Sequence, residues 1–175
     1  MTSTQATVAV VAAVVAFWVV GAYNRMVRLR TALVERFAQV DARYRQRHAL
    51  LETQVEMLAG ALVSAAPRLD ALRAACRQAD AAREHARARP GAASAVTSLR
   101  VADEILADAR ARLPVQAIPG ADLPGLNSEL AGLDTALSFA RREFNAAVTA
   151  YNDAIGQFPT LLLARLFSFR PAAPF

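Results

Sequence analysis

The chain has 175 residues, 55% of them hydrophobic and 20% charged, which suits one domain plus an attachment and excludes a disordered polymer. Twenty basic residues, all arginine, against fifteen acids give a net charge of +5. The acids Asp41, Glu52, Glu56, Asp70, Asp80 and Glu84 are interleaved with the arginines, as on helix surfaces, so no nucleic-acid partner is expected.

Residues 1–24, "MTSTQATVAVVAAVVAFWVVGAYN", carry no charged side chain. The apolar stretch from Ala6 to Ala22 would cover roughly 25 Å as a helix, the lower bound for a membrane span. Trp18 and Tyr23 stand near one end, where amphipathic rings favour the bilayer interface. The segment reads as a retained transmembrane anchor. The rival is a signal peptide cleaved near Ala22, which would release an extracytoplasmic bundle. No arginine precedes position 25 to make a basic leader, and the apolar run exceeds a usual signal core. Arg25, Arg28 and Arg30 follow directly. The positive-inside rule then places the bulk of the chain in the cytoplasm, at the inner membrane.

Residues 25–158 are rich in Ala, Leu, Arg and Glu and show no useful period-two alternation. Breaks at Gly60 or Ser64–Pro67, at Arg89-Pro90-Gly91 and through "LPVQAIPGADLPGLN" mark four helices, roughly 25–64, 67–88, 92–112 and 126–157. In the first, Leu33, Phe37, Val40, Tyr44, Leu51, Val55, Leu58 and Leu62 form a stripe that Arg47 interrupts. Arg43, Arg45 and Arg47 fall on different sides and read as a solvated face, with Asp41–Arg45 paired at i,i+4. The second carries Leu69, Leu72, Cys76 and Ala79; the third Val96, Leu99, Ile105, Leu106 and Leu113. Cys76 reads as a small buried hydrophobe, and a lone cysteine excludes an internal disulfide.

In the fourth helix Leu126, Leu130, Leu133, Leu137, Ala140, Phe144, Ala147, Tyr151, Ala154 and Phe158 follow steps of four and three, a heptad seam. Val148 and Ile155 widen it, which suits a bundle, and Asn127 or Ser128 is placed to cap the start. Short connections make neighbouring helices antiparallel, so the expected fold is all-α: an N-terminal transmembrane helix running into an antiparallel bundle of about four helices. The fourth helix then ends at Phe158-Pro159 near the bilayer.

The aromatic-Asn pairs Tyr23-Asn24, Phe144-Asn145 and Tyr151-Asn152 should lie toward one level of that bundle, with Asp41, Arg141 and Arg142 further along. The Asn amides flank the seam, where they can reach a neighbouring helix or a backbone carbonyl. Either they fix register or they recognise a partner protein. The tail, residues 159–175, holds Leu161, Leu162, Leu163, Leu166, Phe167 and Phe169 between Arg165 and Arg170. It either docks on the membrane surface, with Leu162, Leu166, Phe167 and Phe169 in contact, or folds back over the base of the bundle.

"YNRMVRLRTALVERFAQVDARYRQRHALLETQVEMLAG" and "ARREFNAAVTAYNDAIGQFPTLLLARLFSF" resemble the LemA family of bacterial membrane-anchored helical proteins. The resemblance rests on Tyr23, Asn24, Val27, Arg28, Leu29, Arg30, Gln39, Asp41 and Gly60, then on Ala140, Arg141, Arg142, Asn145, Tyr151, Asn152, Phe158, Pro159 and Phe169. Phe144 stands where the family has Tyr, Leu50-Leu51 replaces an Ile-Pro, and Phe167-Ser168-Phe169 replaces Phe-Gly-Phe. The resemblance implies a single-pass bundle and no catalytic residues. Independently, neither His48 nor His85 sits in a metal-binding motif, and no phosphate loop, dinucleotide fingerprint or nucleophile elbow occurs. The expectation is a non-enzymatic scaffold or adaptor without cofactor or metal; the alternatives are the released extracytoplasmic bundle and an enzyme with an unrecognised site in the bundle. Its partners would be the bilayer and membrane or membrane-proximal proteins, with a homo-oligomer left open.

Overall fold

A computed structural model describes residues 3–61, 66–113 and 123–175. Five helices and no strand occur among them: α1 Ser3–Ala61, α2 Ala66–Ala88, α3 Ala93–Ala111, α4 Leu123–Gly156 and α5 Thr160–Leu166. The protein is all-α. The expected anchor and the first bundle helix are one element of 59 residues, roughly 88 Å long. Gly60, expected as a break, lies inside it. Leu62, Ser64 and the connection with Pro114 and Pro119 lie outside the described residues.

α4 runs antiparallel along α1. Phe144 meets Phe37 at 5.6 Å between ring centroids, Arg141 meets Tyr44, and Asn127 accepts from Gln54 at 3.1 Å. α2 and α3 form a second antiparallel pair, turned through residues 89–92. Gly91 takes a φ of +79° in this turn, a left-handed conformation glycine adopts without strain.

Two main apolar cores fill the bundle, with a small third cluster of Leu58 and Leu69 beyond them. The one nearer the anchor contains Met26, Leu33, Phe37, Leu99, Phe144 and Tyr151; the other contains Leu51, Leu72, Cys76, Leu106 and Leu130. The seam of α4 departs from a strict heptad. Leu133 and Ala147 are only partly buried, whereas Val148 and Ile155 lie in the core. A straight helix of 3.6 residues per turn drifts off a seven-residue repeat in this way. Phe158 is 81% exposed because α4 stops at Gly156, and Ile105 on α3 is 41% exposed. Asn127 and Ser128 do not cap α4, which begins at Leu123; Asn127, itself exposed, accepts from the buried Gln54 instead.

Within α1, one stretch is long and apolar enough to cross a membrane, and none of it is buried by the rest of the protein. Val8, Val11, Val14, Val15 and Phe17 stand bare, an arrangement that water disfavours and lipid does not.

Candidate functional site

The polar interior lies between the two apolar cores. Arg47, expected on a solvated face, is only 6% exposed. Its Nη1 donates to Asp103 of α3, and its Nε lies 2.8 Å from Asp134 of α4. Arg141 joins the same group, donating to Asp103 at 2.7 Å and to the Tyr44 hydroxyl. A second network ties α1 to α2: Arg83 donates to buried Asp41 at 2.7 Å and also meets Asp80 and Glu84. Asp41 keeps its i,i+4 contact with Arg45 at 3.3 Å.

These pairs set the local protonation. Burial, then the Asp103 charge, pushes the Tyr44 phenol up to about 12 against the lowering pull of Arg141. Burial works against the charge on Arg83, but its hydrogen bonds to Asp41, Asp80 and Glu84 outweigh this and hold its pKa above the ordinary arginine range. A gap beside them, lined by Tyr44, Arg47 and Arg83, is about 10 Å³, room for one water at most. The interior charges neutralise one another across helices, which fits them for setting register.

The aromatic-Asn pairs converge on the tail. Asn152 donates to Ala172 O at 2.8 Å and accepts from Ala172 N at 2.9 Å. Asn145 accepts from Phe175 N at 2.9 Å and faces Phe175 O at 3.4 Å. The Tyr151 hydroxyl donates to Arg170 O at 3.0 Å. Seven helical residues separate the two Asn by roughly 10.5 Å, close to the rise of three extended residues, so each amide meets every third backbone unit. Phe175 then stacks on Phe37 and meets Phe144 edge-on at 5.4 Å, under the Arg141 guanidinium.

Tyr23 packs on Phe167 and Phe169 at 5.0 and 6.0 Å. Asn24 is exposed, and Arg142 lies on the outer face of α4 over Phe139. Asp41 and Arg142 are therefore not brought together with the Asn pairs. The tail folds back: Leu163, Ala164, Phe169, Ala172 and Phe175 all contribute to the core nearer the anchor. Leu162, Leu166 and Phe167 stay exposed, and Trp18 is 40% exposed.

A feature of the sequence that its arginine count conceals appears once the ends are brought together. Residues 1–34 and 154–175 carry five arginines and no acid, and residues 35–153 carry fifteen of each. The whole net charge thus sits at the end of the bundle next to the apolar segment. Reading the charge by segment, instead of in total, exposes it.

The sequence model of the LemA family matches residues 36–175. No curated protein matches the chain.

Proposed function

The chain belongs to the LemA family, and on that footing we propose that it is a single-pass, non-enzymatic scaffold or adaptor of a bacterial inner membrane. Residues 1–24 act as the anchor, residues 25–158 stand as a bundle on the cytoplasmic side, and partner proteins dock on the bundle faces. The observation that carries this reading is the continuity of α1: the uncovered apolar stretch runs without a break into the helix that lines both cores. A rod of that kind fixes the height and tilt of the bundle over the membrane. The family is not a known enzyme family, and the interior ion pairs are engaged with one another, which supports a role in holding.

Val19 and Ala22 pack against the core nearer the anchor, so cleavage beside Ala22 would strip part of the bundle base. That favours a retained anchor over a released bundle. The exposed Leu162, Leu166 and Phe167 sit at the same base and form a second, shallow contact with lipid. The test is extraction of membranes with alkaline carbonate, followed by crosslinking in intact membranes. Full-length protein should stay with the pellet and capture a reproducible partner. Recovery in the wash, or no captured protein above background, defeats the respective half of the proposal.

A further inference from the structure

We propose that the groove between α1, the α2–α3 turn and the tail binds the phosphate headgroup of an anionic phospholipid. The groove is open, about 630 Å³, within the range of small-molecule sites. Arg30, Arg89 and Arg170 line it, and no acidic residue does. Arg36, Arg47, Arg73, Arg83, Arg110 and Arg141 hold ion pairs, whereas Arg43, Arg68, Arg77, Arg100 and Arg142 stand without an acidic partner among the described residues but outside this groove. Arg30, Arg89 and Arg170 are exposed and have no acidic partner among the described residues.

Three elements distant in sequence deliver these side chains. Arg30 comes from α1, Arg89 from the turn, and Arg170 from the segment whose carbonyl the Tyr151 hydroxyl holds. Ala173 N donates to Gly91 O at 2.8 Å, which locks tail and turn together and fixes the groove wall. The start of α3 opens into the same space with no side-chain cap on Ala92, adding backbone donors to the guanidinium groups.

Position selects the source of the phosphate. Arg30 lies eight residues beyond Ala22, roughly 12 Å along the helix, past the hydrocarbon core and near enough for its long side chain to reach back to the headgroup layer. The exposed Leu162, Leu166 and Phe167 and the five arginines unbalanced by acid share this end. A lipid headgroup is the anion that is always present there, and arginine forks suit its phosphate oxygens.

The inference rests on the membrane anchoring proposed above, and the two fail separately. Full-length protein in neutral detergent is titrated calorimetrically with short-chain phosphatidylglycerol, phosphatidylcholine, glycerol 3-phosphate and a polyglutamate peptide. Phosphatidylglycerol should bind at least tenfold more tightly than phosphatidylcholine and than glycerol 3-phosphate. R30Q/R89Q/R170Q should lose roughly a hundredfold, at about fivefold per arginine near an anionic surface. R68Q/R77Q/R100Q removes the same charge at exposed sites elsewhere and should bind like the parent, with both variants melting like the parent. Equal loss in the two variants, or no preference for phosphatidylglycerol, overturns the groove. Glycerol 3-phosphate binding as tightly as the lipid assigns a soluble phosphate ester instead, and polyglutamate binding without lipid binding assigns an acidic protein; either overturns the lipid reading. Protein that stays dispersed without detergent defeats the anchor alone.

Discussion

Asn152 makes two hydrogen bonds to one backbone unit, and alanine in its place removes both while leaving Ala172 N–H and C=O half-buried without partners. At about 1 kcal/mol net per bond, N152A should weaken tail docking by roughly 2 kcal/mol. Hydrogen exchange checks it: amides of residues 169–175 should lose protection while those of α1 and α4 keep theirs. Tyr44 yields a second outcome. Its phenol titrates near 12, above the ordinary value near 10, so the folded state retains a proton that the unfolded state releases. Stability from this group is complete below pH 10 and falls as pH rises toward 12, by up to about 3 kcal/mol. Urea melts across that range should show the decline in the parent and a smaller one in Tyr44→Phe. At this scale the sequence placed Phe144, Tyr151 and both Asn correctly beside the seam. It misread Arg47, because a charge inside an apolar stripe looks like an interruption until Asp103 and Asp134 arrive from helices 56 and 87 residues away along the chain. The partner that an amide chooses is equally nonlocal: Asn145 meets Phe175 across 30 residues.

The helices were legible as elements because leucine spacing and proline or glycine breaks are local signals. Their limits were less so. α4 extends three residues earlier than its first leucine of the seam, with Pro124 in the first turn, where a missing N–H costs nothing. The tail helix α5 has seven residues and gains its order from Leu163 and Ala164 in the core, which no periodicity in so short a segment announces. The α2–α3 turn is the element on which tail and bundle meet. Gly91 has φ +79°, and a Cβ there would lie 2.9 Å from Ala172 Cβ, with backbone also near. G91A therefore combines a conformational penalty with a clash. It should cost about 1–3 kcal/mol and loosen residues 170–175 along with the turn. Thermal melting measures the first effect and hydrogen exchange the second. A variant as stable as the parent would mean that the turn and tail can separate freely.

At the scale of the molecule, charge and apolarity are segregated along one axis. A bare apolar rod comes first, then a base carrying the five arginines of the two acid-free end segments, while the fifteen arginines and fifteen acids of residues 35–153 balance in number. Composition alone hid this, because a total of +5 in 175 residues looks mild. Folding makes it sharp by returning α4 and the tail to the end where α1 leaves the apolar stretch. Such a base resists translocation and is drawn to an anionic leaflet, each arginine contributing about 1 kcal/mol near the surface. The expected topology therefore keeps the bundle on the cytoplasmic side. Cys76 is buried, and burial raises its thiol pKa, so it should stay silent toward maleimides in the folded protein. A cysteine placed at exposed Glu129 then reports sidedness. In spheroplasts an impermeant maleimide should leave E129C unlabelled until the membrane is opened. Replacing Arg25, Arg28 and Arg30 by glutamine removes the charge closest to the anchor, and a fraction of the protein should become labelled from outside. Labelling of E129C in sealed spheroplasts with all arginines present would invert the molecule and turn the basic base toward the opposite leaflet.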